Sequence, residues 1–328
     1  MRNAKIIASG MYVPENVLTN SYFNKLLDED VDTWLRENVQ IYERRWCSKN
    51  ESTADLCVWA AKNILNNAGL DAKDIDLIII TTDTPEYISP STASVVQYKI
   101  GAENAATFDI NTACAGFVSA LDTGSKYIQS DKNYNHILVI GAYAMSKYLN
   151  LTDKKTVTLF ADGAAGVILK AEETNAGFLG AKQVTKGEYH DWMGIYAGGT
   201  ALPLSKQVLE NNDHKLKFVK KFPKELNPEM WSKMIFDLCE EIGIQPKDVA
   251  HFLFTQININ SIQQTMKRLG LGMDKCTTVM HHYGYTGAAS IPIAFHEAVT
   301  HKKIHKDDII IFMGSGGGLA FATAAFKM

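Results

Sequence analysis

No stretch of the 328-residue chain approaches the roughly 20 consecutive apolar residues that a membrane-spanning helix needs, so no membrane partner is expected. The opening MRNAKIIASGMYVPENV has neither a long apolar core nor a cleavage site, and the expectation is a cytoplasmic protein. Charge of one sign is lacking too. The 33 basic and 36 acidic residues leave a formal charge of −3, which offers nucleic acid no electrostatic footprint. The five cysteines, Cys47, Cys57, Cys114, Cys239 and Cys276, include no CxxC pair, which argues against a disulfide framework and against a metal site. Each thiol is therefore judged by its own surroundings.

What is present is apolar material, 46% of residues, enough for a large core in two domains or one duplicated body. Continuous aliphatic runs predict buried strands at Ile75–Thr82, His136–Gly141, Val249–Thr255 and Asp308–Met313, with helical patterns between them, the alternation of α/β proteins. Two blocks repeat. AGLDAKDIDLIIITT (Ala68–Thr82) and IGIQPKDVAHFLFTQ (Ile242–Gln256) align Gly69 on Gly243, Asp74 on Asp248 and Thr81 on Thr255, each behind a helical segment (Thr53–Asn67, Pro228–Glu241). Two similar α/β halves are expected, residues 1–173 and 174–328. The irregular stretch Thr174–Lys221 is read as their connection.

FDINTACAGFVSA (Phe108–Ala120) runs from a polar strand end through Ala-Cys-Ala-Gly into a helical pattern. Cys114 would sit at a helix start, where the dipole and unpaired N–H groups favour thiolate, or else pack as a small buried residue. GSGGGL (Gly314–Leu319) follows a strand, and its glycines let backbone N–H groups approach a bound oxyanion. It lacks the Gly-Lys-Ser/Thr ending of a phosphate-binding P-loop.

Together with TTDTPEYISPSTA (Thr81–Ala93), LFADGAAG (Leu159–Gly166), the Ala197–Gly199 turn, TQIN (Thr255–Asn258) and YGYTGAASIP (Tyr283–Pro292), these segments resemble the β-ketoacyl-acyl-carrier-protein synthase III family of thiolase-like condensing enzymes. The resemblance runs over nearly the whole chain. It implies a thiolase-like fold of two duplicated halves in a five-layered αβαβα body, and a homodimer. It also implies Cys114 as the nucleophile and the N–H groups of Cys114 and Gly317 as holders of the acyl oxyanion. No cofactor is implied, since acyl-CoA or an acyl-carrier-protein thioester is itself the substrate.

Departures from the family pattern qualify the chemistry. Thr255 stands at the position of the family's catalytic histidine and Tyr285 at that of its asparagine, so both are expected at the enolate site as hydroxyl donors. Neither serves readily as a base near neutrality. A substitute base is sought in His281 or His282, of which a strand would turn at most one toward the pocket. At the donor mouth Trp34 matches the tryptophan that stacks on adenine, Lys154 replaces a basic residue near the phosphates, and Asn258 is retained for the pantetheine arm. Asn38 and Asn260 replace two arginines, which removes two guanidinium forks from phosphate recognition. The expected activity is condensation of an acyl thioester, loaded on Cys114, with a malonyl thioester. The alternatives are a non-decarboxylating acyltransferase using Cys114 and a non-catalytic partner subunit of a condensing enzyme.

Overall fold

The computed structural model describes residues 1–328. The first half contains β1 (Arg2–Tyr12), α1 (Thr53–Ala68), β2 (Leu77–Thr81), α2 (Thr92–Ile100), β3 (Ala106–Ile110), α3 (Gly116–Ser130), β4 (His136–Ala144) and β5 (Asp162–Glu173). The second contains β6 (Gly177–Thr185), α4 (Leu226–Glu241), β7 (His251–Phe254), α5 (Ile259–Leu269), α6 (Ser290–Thr300), β8 (Ile309–Gly316) and β9 (Ala320–Lys327). No helix is long and apolar enough to cross a membrane.

The first sheet has the order β1-β5-β4-β2-β3, with β2 parallel to β3 and β4 and the other pairs antiparallel. The second has the order β7-β8-β9-β6, with β7 parallel to β8. Strand by strand, β7, β8, β9 and β6 repeat β2, β4, β5 and β1. The place of β3 is filled only by a parallel bridge between Phe252 and Cys276.

Local chemistry repeats with the topology. α1 opens on a capping box, Ser52 with Asp55, and closes on Gly69 at φ +65°, the left-handed conformation that glycine adopts without steric cost. Gly243 ends the α4 segment at φ +74°. After each glycine comes a one-turn 3₁₀ helix, Ala72–Asp74 or Pro246–Asp248, whose last aspartate accepts from a backbone N–H three residues earlier at 2.9 Å.

α1 and α2 cover the outer face of the first sheet, and α4 with α5 covers that of the second. α3 and α6 lie between the sheets and touch both, which completes the five layers of a thiolase-like fold. Sandwiching explains why α6 carries apolar residues so densely: Ile291, Ile293 and Phe295 are all fully buried, each contributing about 1.5–3 kcal/mol. The stretch 174–221 is more than a connection, because its first part is β6, an edge strand of the second sheet that pairs with β9. Alternating Phe178, Gly180 and Lys182 do not form the continuous aliphatic run by which the other strands were recognised.

Candidate active site

β3 ends at Ile110, and the chain passes through a one-turn 3₁₀ helix, Ala113–Ala115, into α3. Asn111 Oδ1 accepts from Ala113 N at 3.0 Å, and Ala115 N donates to the Thr112 carbonyl at 3.2 Å. Two glycines let this turn be clamped. A Cβ on Gly116 would lie 1.7 Å from Thr81 Oγ1, at the end of β2; one on Gly316 would lie 2.4 Å from Cys114 N and 2.6 Å from the Thr112 carbonyl oxygen. The end of β8, at Gly316, is thereby seated against the Cys114 backbone. Gly317 itself meets only the Met193 carbonyl oxygen, at 3.4 Å from such a Cβ.

Cys114 is 2% exposed. Burial pushes its thiol well above the usual value, the nearby Asp83 charge pushes it further, and a hydrogen bond with the Tyr285 hydroxyl pulls it down. The expectation of a helix start that lowers the thiol pKa is therefore not met at rest, because burial in an apolar setting outweighs it. Tyr285 reaches the thiol from the second half. Its N–H donates to the Leu159 carbonyl and its carbonyl accepts from Ala161 N, both at 2.9 Å, and its ring packs 5.4 Å from Phe160 and 6.4 Å from Tyr143.

Thr255 is fully buried and its hydroxyl is committed to backbone: Oγ1 accepts from Ser315 N at 3.0 Å and approaches the Ser315 carbonyl at 3.4 Å. It fixes the residue that leads into Gly316–Gly318. His281 and His282 lie on a short helix, Met280–Tyr283, not on a strand, so the opposite-face argument does not apply. The His281 carbonyl accepts from Tyr42 N at 3.2 Å, and the exposed His282 ring stands 3.6 Å from Glu43. The structure places both against the Tyr42–Glu43 segment and neither among the charged neighbours of Cys114.

Among the residues expected at a donor mouth, Trp34 is 53% exposed on the helix Asp32–Asn38. Lys154 is engaged by Glu29, with Nζ 2.7 and 3.0 Å from the two carboxylate oxygens. Asn260 Nδ2 donates to the Asn38 carbonyl at 2.9 Å, so the two asparagines expected in place of arginines bind one another. Asn258 caps α5 by accepting from Asn260 N at 2.9 Å.

Sequence reasoning passed over two carboxyl groups. Asp162, in LFADGAAG, accepts from Cys47 N at 2.7 Å, from Ser146 N at 2.9 Å and from the Ser146 hydroxyl, tying two loops to β5. Asp83, in TTDTPE, has one oxygen buried without a partner, and burial raises its pKa to about 6. A carboxylate just past the C-terminal end of a buried parallel strand was the available signal, since α/β sites gather at such ends.

The 3-oxoacyl-[acyl-carrier-protein] synthase III model matches residues 108–187, which include Cys114, and its C-terminal counterpart matches residues 239–328. The β-ketoacyl-[acyl-carrier-protein] synthase III of Clostridium perfringens is 38% identical over 331 residues, covering 100% of both chains. The chain belongs to the β-ketoacyl-acyl-carrier-protein synthase III family. The synthase III of Geobacillus kaustophilus is 37% identical over 99% of this chain and 98% of its own. The crystal structure of the 3-oxoacyl-[acyl-carrier-protein] synthase III from Aquifex aeolicus superposes with a TM-score of 0.89 at 31% identity, covering 99% and 100% of the two chains.

Proposed function

We propose that this protein is an acyltransferase that condenses an acyl thioester with a malonyl thioester through Cys114. The carrying observation is the clamped turn: Gly316 seats the glycine loop on the backbone N of Cys114 within a synthase III fold. In the first half-reaction Sγ bonds to the acyl carbon and the donor thiol departs with the Cys114 proton. In the second, malonate loses carbon dioxide, its C2 carbanion forms a carbon–carbon bond to the acyl carbon, and the Cys114 thiolate leaves. The N–H groups of Cys114 and Gly317 are the proposed acyl oxyanion donors. The Tyr285 hydroxyl is the proposed enolate donor, and Thr255 supports the glycine loop from behind. The acyl and malonyl thioesters are the only small molecules the scheme needs, and the proposed setting is the cytoplasm.

The mouth bears on the donor. With Lys154 neutralised by Glu29 and Asn38 joined to Asn260, the pantetheine arm and the carrier protein are the proposed recognition elements, ahead of the CoA nucleotide. Tyr87, Ile88 and Tyr98 are exposed and β3 is an edge strand, and both features support a homodimer in which a second copy covers them. Intact-protein mass spectrometry with acyl-CoA and acyl-carrier-protein donors tests the loading step through an adduct on Cys114. Carbon dioxide release from a malonyl thioester tests the condensation. An adduct without carbon dioxide release would support the non-decarboxylating transferase, which the hydroxyls at the Thr255 and Tyr285 positions favour. No adduct with any donor would sink both enzyme readings and leave the partner-subunit alternative.

A further inference from the structure

The two N–H groups proposed to hold the acyl oxyanion come from opposite halves of the chain, that of Cys114 from the turn before α3 and that of Gly317 from the loop after β8. The β6 segment engages both sides. Lys186, just past the end of β6, exchanges two backbone hydrogen bonds with Leu319 at the end of the glycine loop: Lys186 N donates to the Leu319 carbonyl at 2.9 Å, and Leu319 N to the Lys186 carbonyl at 3.0 Å. On β6 itself Gln183, paired with Ala322 of β9, extends its side chain to α3. Its Oε1 accepts from Ser119 Oγ at 2.9 Å, and its Nε2 donates to Asp122 Oδ2 at 2.8 Å.

From Ser119 the chain of hydrogen bonds continues toward the nucleophile. Ser119 Oγ accepts from Thr112 Oγ1 at 3.0 Å. Thr112 closes the Cys114 turn, since its carbonyl accepts from Ala115 N at 3.2 Å, and the Gly316 clamp rests on that same carbonyl oxygen, 2.6 Å from where a Cβ would lie. α3 is otherwise apolar at this level, with Phe117, Val118, Ala120 and Leu121 buried, whereas Ser119 and Asp122 are polar and only 4% and 5% exposed. Polar groups buried on a sandwiched helix are costly without partners, and Gln183 supplies one to each. Apolar packing holds such a helix without fixing its orientation sharply; a satisfied chain of directional hydrogen bonds fixes it.

We infer that Gln183 is a positioning residue for acyl loading: it holds the Cys114 turn to the same segment that holds the glycine loop, so that the Cys114 and Gly317 N–H groups converge on one oxyanion. The inference rests on Cys114 being the nucleophile. Both ends of the amide are needed, the oxygen for Ser119 and the nitrogen for Asp122. The charged groups beside it are Asp122 and, through that carboxylate, Lys126, whose Nζ donates to Asp122 at 2.9 Å; Lys182 on the same strand is turned to Glu241 instead. A leucine at position 183 removes both bonds. A glutamate keeps the bond from Ser119 and sets a second carboxylate against Asp122.

Exchanging the amide and the carboxylate tests the role, because Gln183→Glu combined with Asp122→Asn rebuilds the same bonds with the two groups reversed. Single-turnover loading from a hexanoyl-N-acetylcysteamine thioester near neutral pH, followed by intact mass at rising donor concentration, gives a maximal rate and a half-saturating concentration, and thermal melts give stability. Gln183→Leu and Gln183→Glu should each lower the maximal rate by at least about tenfold with half-saturation unchanged, and the double exchange should return it to within about threefold of the wild type. A structural role alone would shift the melts and leave the loading rate of the folded protein unmoved. Gln183→Leu loading at the wild-type rate overturns the inference, and so does a loss in Gln183→Glu that the double exchange does not recover. If the wild type takes no acyl group, the function proposed above is what fails, and iodoacetamide alkylation of Cys114 then carries the comparison. A rate altered in Gln183→Glu and restored in the double exchange supports the positioning role; one unaltered or unrestored overturns it.

Discussion

The two halves of the molecule enter their central helices by nearly the same turn. In the first, Thr112, Ala113 at φ +47° and a one-turn 3₁₀ helix lead into α3; in the second, Thr286, Gly287 at φ +49° and a one-turn 3₁₀ helix, Gly287–Ala289, lead into α6. At the residue where the first turn carries Cys114, the second carries Ala288. The settings differ as much as the side chains. The first turn is seated under the glycine loop, whereas the Ala288 carbonyl oxygen is pressed toward β4, only 2.2 Å from where a Cβ on Gly141 would lie. Duplication supplied one backbone device twice, and only the first copy has Gly316 seated on its helix start. The second turn became the support that brings Tyr285 to the thiol.

The sharpest way to break this comparison is to make the first turn resemble the second. Cys114→Ala should abolish adduct formation and lower turnover by at least about 10³-fold, as expected for loss of a nucleophile, with mass spectrometry and steady-state rates as the checks. The reverse change, Ala288→Cys, should give no adduct even in the Cys114→Ala background; acylation at position 288 would show the turns to be chemically equivalent. Gly316→Ala tests the clamp, since its Cβ would fall 2.4 Å from Cys114 N. A displacement of that order should cost roughly 10²-fold in loading rate.

Gly287→Ala comes next. Its Cβ would meet the Tyr143 ring at 2.4–2.6 Å, and overpacking of this kind costs about 1–3 kcal/mol, measurable by denaturant unfolding. The matched change in the first turn, Ala113→Gly, relieves a left-handed alanine and should alter stability by less than about 1 kcal/mol. Equal effects at the two positions would mean that the second turn is not the tighter support.

Asp83 sharpens the comparison through pH. Its carboxyl has a folded pKa raised from 3.8 to about 6, so between those values the folded chain binds more protons than the unfolded chain. Stability should therefore fall as pH rises through that window and level off above it. Asp83→Asn should be more stable than the wild type at pH 8, by on the order of 2–3 kcal/mol at 1.36 kcal/mol per pKa unit. The two should be alike near pH 3, and thermal melts at both pH values provide the check.

Much of the fold was legible because its causes are local. The glycines at 69 and 243, the aspartates at 74 and 248 and the aliphatic runs of β2 and β7 are read directly from the chain. The position of Cys114 at a strand-to-helix turn was legible for a similar reason, since a strand end, small residues and an apolar helix are consecutive. Less legible were relations between distant segments. Nothing local shows that Thr255 spends its hydroxyl on Ser315, sixty residues away, or that Glu29 takes up Lys154. The histidine pair misled because VMHHYG resembles a strand by composition, while backbone bonds to Val279 and Met280 wind it into a helical turn. Asp83 was hidden by its motif, in which threonines and proline suggest only a loop.

The pairing of β1 with β5 joins Arg2 to Glu173 and Tyr12 to Ala164. On a ribosome adding about 5–20 residues per second, β1 emerges roughly 8–30 seconds before its partner exists. During that interval RNAKIIASGMY is an unpaired strand with an apolar centre, the kind of segment that seeks an edge on another chain. The first sheet cannot close around α3 until β5 arrives, so the environment of Cys114 is assembled late in synthesis, after the cysteine itself has long been made. For nascent chains, the order of translation makes β1 rather than the Cys114 turn the element most in need of protection.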